Sequence, residues 1–161
     1  MAPLDIGKLA VESVENHQHA AAEAGKTLST DVPASLPKAL GDERWLHLVL
    51  DNLVSNAIKF TQPGGRVRVV ARDKGEFVMV SVSDDGIGIP PEDREKVFER
   101  FYRAGNRAEV NAPGTGLGLA IAREVVDKHG GKIWLESELG KGTTFHFVVP
   151  AAGWGRDEAN K

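Results

Sequence analysis

The segment DERWLHLVLDNLVSNAIKF, residues 42–60, decides how the chain is read. Its apolar positions Leu46, Val49, Leu50, Leu53, Ala57 and Phe60 recur at intervals of three and four, which puts them on one face of an α-helix. Pro63-Gly64-Gly65 ends the segment, because proline cannot continue a helix and paired glycines favour a turn. Asn52 and Asn56 stand four apart, with Lys59 one turn beyond Asn56, so the two amides share a face. Amides are poor helix-interior residues. Two of them beside an apolar stripe and a lysine describe a polar face turned to a ligand, and an amide oxygen suits magnesium. Taken alone, the pattern fits a solvated helix face equally well.

Outward from this helix the chain divides into short elements. Residues 5–24 carry Ile6, Leu9, Ala10 and Val14 with Asp5 as N-cap and Gly25 as stop, which predicts an amphipathic helix. KTLSTDV (26–32) and LPKALGD (36–42) read as short extended pieces bounded by proline. RVRVVARD (66–73) and EFVMVSVSD (76–84) alternate across Lys74-Gly75, a hairpin pattern. Pro90-Pro91-Glu92-Asp93 opens a short helix towards Phe98. Residues 102–116 lack periodicity and read as a long mobile loop. LGLAIAREVVDKHG (117–130) is helical with a glycine stop, and KIWLES and TTFHFVVP form a strand pair around Gly140-Lys141-Gly142. The tail AAGWGRDEANK reads as frayed.

Length and composition bound the function. The 161 residues fit one domain with a real core, and 41% hydrophobic with 27% charged residues is an ordinary globular balance. Twenty basic against 23 acidic residues leave a net charge of −3, so no broad basic field exists for nucleic acid or an anionic membrane. The chain has no cysteine, which removes disulfides, thiolate metal sites and cysteine nucleophiles. No apolar run approaches the roughly 20 residues that span a bilayer, and the start lacks a signal-peptide core. The expectation is a cytoplasmic module with no membrane contact of its own.

Two further stretches carry chemistry. In SDDGIGIPP (83–91) a hydrophobic strand runs into acid and glycine. A carboxylate there can accept from a buried base amine, while glycines let backbone approach a ligand; a tight turn explains the same residues. GTGLGLA (114–120) is a glycine-rich entry to a helix, where backbone amides can hold phosphate. Its spacing and the absence of a preceding strand argue against a dinucleotide fingerprint, and no GxxxxGK[ST] run exists for a Walker loop.

With VFERFYR (97–103), these blocks resemble, in order, the N, G1, F and G2 boxes of the catalytic ATP-binding domain of bacterial two-component sensor histidine kinases. HGGKIWLESELGKGTTFHFVVP is similar to the end of that domain, so the resemblance covers roughly residues 5–150. It implies a Bergerat ATP-binding fold, an α/β two-layer sandwich with a mixed sheet covered on one face by helices. Residues 1–150 would form the catalytic domain and 151–161 a flexible tail.

By this resemblance Asp84 reads adenine, with Gly86 and Gly88 beside the base, and Asn56 coordinates magnesium with Asn52 as a second ligand. Lys59 meets the phosphates, Arg103 approaches the terminal phosphate after Tyr102, and Gly114, Thr115, Gly116, Leu117 and Gly118 close over the nucleotide. The catalytic group would be Asn56, Lys59 and Arg103, whose charges offset that of a transferring phosphoryl group. Gyrase-, chaperone- and mismatch-repair-type ATPases, similar in fold, carry a glutamate base where this chain has Asn52. An amide cannot take a proton from water at neutral pH, which favours transfer over hydrolysis.

None of the histidines at 17, 19, 47, 129 and 146 lies in the acceptor context of the family, histidine-acid-x-x-arginine-proline. His17 and His19 read as surface helix residues, His129 as a helix-end cap, and Trp45 and Trp134 as parts of amphipathic elements. The expected function is a catalytic module that donates the γ-phosphoryl of Mg-ATP to a histidine on a separate dimerisation domain, and through the parent kinase serves a response regulator. An ATPase of the same fold and a non-catalytic nucleotide sensor are the alternatives.

Overall fold

A computed structural model describes residues 1–100 and 118–153. The expected loop over 102–116 lies outside the described residues, as does the tail from 154. The start of the segment expected to fray is instead held: Ala151 is buried and its N–H donates to Glu76 O at 2.8 Å, and Ala152 N–H donates to Lys38 O at 2.7 Å. In chain order the elements are β1 (Ala2–Leu4), α1 (Ile6–Glu23), β2 (Thr27–Asp31), β3 (Ala39–Gly41), α2 (Glu43–Phe60), β4 (Arg66–Asp73) and β5 (Phe77–Asp84). Two 3₁₀ turns, Pro91–Asp93 and Lys96–Phe98, precede α3 (Gly118–Lys128), β6 (Lys132–Glu138) and β7 (Gly142–Pro150).

Local chemistry accounts for the helix limits. The Asp5 carboxylate accepts from the Lys8 amide at 3.0 Å and starts α1, and Gly25 ends that segment with φ +74°. The Asp42 side chain accepts from the Arg44 and Trp45 amides at 3.0 and 3.3 Å and starts α2, satisfying donors that a helix leaves open. At the other end of α2 the Lys26 ammonium donates to the Ile58 carbonyl. Partial burial there holds its pKa below the usual lysine value.

The main sheet has five strands in the order β2-β4-β5-β7-β6, with β2 parallel to β4 and every other pair antiparallel. β1 and β3 form a separate antiparallel pair. Asp31 on β2 accepts from Arg68 and Arg72 on β4 at 2.6 and 2.9 Å. These guanidiniums, Arg72 foremost, hold its carboxyl below the ordinary aspartate range. The helices cover one face of the sheet. Its inward residues Val67, Val69, Val78, Val80, Phe145 and Phe147 are buried against Leu46, Leu50, Leu53, Ile6 and Val126, and each large apolar side chain so buried contributes about 1.5–3 kcal/mol. The opposite face is polar in part: Ser81 and His146 meet at 2.6 Å, and Trp134 stacks on the His146 ring. Among the described residues no helix is long and apolar enough to cross a membrane.

The two-layer mixed α/β architecture is the one expected. One further local reading changes and one element is new. The short helix towards Phe98 is instead the two 3₁₀ turns, closed by Asp93 N–H to Pro90 O and Glu99 N–H to Lys96 O. Each i→i+3 bond closes a single tight turn, and the second places Val97 and Phe98 in buried positions without a full α turn. Trp45, on the amphipathic helix α2 as expected, is half exposed, at 51%, since it lies seven residues before Asn52 on the amide side of the helix. β1 had no sequence signal.

His129 does more than cap its own helix. It is buried, its Nδ1 donates to the Val125 carbonyl at 2.8 Å, and its Nε2 accepts from the Asp42 amide at 3.1 Å. The ring therefore joins the end of α3 to the start of α2 in one tautomer.

Candidate functional site

The candidate residues on described segments converge from three elements. Asn52, Asn56 and Lys59 lie on α2, all half-buried. Asp84 ends β5, and the loop through Gly86 and Gly88 follows it. Gly118 opens α3. Arg103, Tyr102, Gly114, Thr115, Gly116 and Leu117 lie outside the described residues.

Close backbone approach assembles the first two groups. A Cβ added at Gly86 would stand 2.3 Å from the Phe60 carbonyl oxygen, so the loop after β5 presses on the last turn of α2, which carries Lys59 and lies one turn beyond Asn56. No other residue type fits that contact. Gly88, with φ +75°, lies against the opposite wall, where its Cβ would come within 2.4 Å of the Glu138 carbonyl. The loop is thus clamped between α2 and the β6–β7 turn, and Gly140 N–H donates to Ile87 O at 3.0 Å. α3 joins through Asn52, whose Nδ2 donates to the Gly118 carbonyl at 3.2 Å. That bond leaves the Asn52 amide oxygen as an acceptor on the same helix face as Asn56.

The two acids of the loop have different partners. Asp84 is buried, and its Oδ1 accepts from the Gly86 amide at 2.9 Å. Asp85 is exposed, and its Oδ1 accepts from the Arg66 amide at 2.9 Å, pinning the start of β4.

Sequence reasoning missed the residues beside Asp84. The core-facing columns of β5, β7 and β6 read Val80, Val82, Asp84; Phe147, Phe145, Thr143; and Ile133, Leu135, Ser137. All three turn polar in the same cross-strand row, Asp84–Thr143–Ser137. The change from apolar to polar at the end of each alternation was the available signal, but the row exists only once the register is known. A cavity of about 310 Å³ opens on this row and is lined by Asp84, Ser137, Gly142 and Thr143 among others.

Among the described residues no three His, Asp or Glu side chains are grouped to hold a metal ion. The oxygen donors of the α2 face are amides, a set suited to a hard cation that keeps phosphate and water ligands. The donor chemistry fits a ligand with an amine at the Asp84 end and cation-bound phosphates at the Asn52–Asn56–Lys59 end.

The family described as histidine kinase-, DNA gyrase B-, and HSP90-like ATPase matches residues 41–153. The adaptive-response sensory kinase SasA of Prochlorococcus marinus is 37% identical over 96% of this chain and 41% of its own length. The sensor-like histidine kinase SenX3 of Mycobacterium tuberculosis is 42% identical over 94% of this chain and 37% of its own. The chain thus spans about two-fifths of the length of these relatives. Among solved structures, full-length ShkA in complex with AMPPNP aligns with a TM-score of 0.81 and 37% identity, over 94% of this chain and 31% of that one.

Proposed function

The chain belongs to the histidine kinase-, DNA gyrase B- and HSP90-like ATPase family, and from that premise we propose that it is the ATP-binding catalytic module of a sensor histidine kinase, residues 1–150 forming the catalytic domain. The observation that carries the proposal is the contact of the Gly86 loop with the last turn of α2. It brings a strand-end carboxylate next to the helix face bearing two amides and a lysine. The AMPPNP complex of ShkA supports a nucleotide at this site.

In this reading Asp84 accepts from the adenine amine, and Gly86 and Gly88, packed on the Phe60 and Glu138 carbonyls, hold the loop beside the base. Asn56 and Asn52 hold magnesium, which when bound offsets phosphate charge. Lys59 and Arg103 stabilise the charge that develops on the transferring phosphoryl group, and Tyr102 with Gly114, Thr115, Gly116, Leu117 and Gly118 encloses the nucleotide. Because Asn52 cannot act as a base towards water, the phosphoryl group passes to a histidine on a separate dimerisation domain and onward to a response regulator, in the cytoplasm.

The test is to mix the chain with labelled ATP and candidate dimerisation domains carrying an acceptor histidine. Labelling of the acceptor should rise with its concentration, because a bimolecular encounter replaces a tethered one, while the chain alone turns over ATP negligibly. Vigorous steady-state phosphate release by the chain alone would assign it to the hydrolases instead.

The cation assignment has its own measurement. Asn56→Ala should weaken Mg-ATP about tenfold or more and metal-free ATP much less, by calorimetry with and without chelator. Equal losses in both would make Asn56 a packing residue.

A further inference from the structure

We propose that Ser137 is a positioning residue for base selectivity: it fixes the Thr143 hydroxyl as an acceptor beside Asp84, so that the pocket requires an amine on the purine 6-position. The proposal deepens the reading of Asp84 as the partner of adenine and rests on it.

The argument is a count of protons. A serine hydroxyl has one proton to give and two lone pairs to receive with. At Ser137 three neighbours compete for them. The Ile89 amide donates to Oγ at 2.8 Å and takes one lone pair. The Gly142 carbonyl, 3.0 Å away, can only accept and takes the proton. The Thr143 hydroxyl, 2.8 Å away, is left with a single role: it donates into the second lone pair. Its proton is then committed to Ser137, and its oxygen offers only acceptor capacity to anything else.

Thr143 pairs directly with Asp84 across β5 and β7, on the core-facing side of the sheet. It is 2% exposed, held under the loop that Ile89 ends. The row therefore presents two acceptors side by side, a carboxylate and a hydroxyl oxygen. An exocyclic amine, or water ordered by one, satisfies such a pair with its N–H groups. A 6-oxo purine turns an acceptor towards them and is rejected. Without Ser137 the Thr143 hydroxyl is free to rotate and donate to a 6-oxo group, and the discrimination weakens.

The experiment measures the affinities of ATP and inosine triphosphate by calorimetry for the wild-type chain and for Ser137→Ala, Ser137→Thr, Thr143→Val and the Ser137→Ala/Thr143→Val double variant, with thermal melts to confirm folding. Ser137→Ala should narrow the ATP-to-inosine-triphosphate affinity ratio about fivefold, and Ser137→Thr, which keeps the hydroxyl, should retain the wild-type ratio. On the Thr143→Val background Ser137→Ala should leave the ratio unmoved, because there is no hydroxyl left to orient. Loss of affinity for both nucleotides with the ratio intact would overturn the proposal and make Ser137 an anchor of the loop alone. A wild-type chain that fails to distinguish the two nucleotides would overturn the adenine site itself, a failure visible before any Ser137 variant is compared.

Discussion

Asp84→Ala should weaken ATP binding by about 1–3 kcal/mol, roughly 5- to 150-fold, the range for removing one partner of a buried polar contact. The residue is buried at the end of a strand whose other inward positions are valines, so a lost hydrogen bond there is not replaced by bulk water. GTP should bind poorly to the wild-type chain, since guanine turns a carbonyl to the position where adenine has its amine. Asp85→Ala is the informative neighbour. Its carboxylate is exposed and tied to the Arg66 amide, so it should alter stability more than nucleotide choice. Calorimetry on the two variants separates the roles, and unchanged ATP affinity in Asp84→Ala would remove that carboxylate from the site.

Gly142→Ala should destabilise the fold by about 3 kcal/mol or more, combining backbone strain with overpacking. Gly142 has φ +126°, and an added Cβ would lie 2.0 Å from the Asp84 carbonyl oxygen. Gly140, two residues away, has φ +78° with nothing within 4 Å of its Cβ position. Gly140→Ala therefore carries only the strain, about 1 kcal/mol. Chemical denaturation of the pair isolates the steric part. Because the clash falls on Asp84 itself, Gly142→Ala should also lose nucleotide affinity, whereas Gly140→Ala should keep it. Equal stability in both variants would mean that the β6–β7 turn yields freely.

Helix α2 was legible because its signals are local: an apolar stripe, an aspartate at the cap and a Pro-Gly-Gly stop. The β4–β5 and β6–β7 hairpins were legible for the same reason, each being closed by a glycine turn. What escaped the sequence depends on partners far away along the chain. The three residues of β1 carry no alternation and are strand only because β3 pairs with them. The proline pair at 90–91 suits the start of either helix type, so the local pattern does not separate an α-helix from the 3₁₀ turn that forms. At the site, Asp84, Asn52, Asn56 and Gly118 stood out by motif. Ser137 and Thr143 did not, since serine and threonine in a strand are unremarkable until the register aligns them with an aspartate. His129 was read correctly as a helix-end residue, but its second bond, to Asp42, joins segments that no local pattern connects.

The parallel pairing of β2 with β4 sets a temporal order on assembly. β4 meets β5 across a tight turn, while Thr27 of β2 meets Arg66 only after β3 and α2 have been traversed. Loop closure over that distance must precede any compensating contact, and β2 has no other neighbour in the sheet. During synthesis α1 and β2 emerge before β4, so β2 acquires its partner strand only when residues 66–70 arrive. Vectorial emergence and sheet growth therefore run in opposite directions at this edge, and the nascent β2 segment must wait for the strand that will receive it.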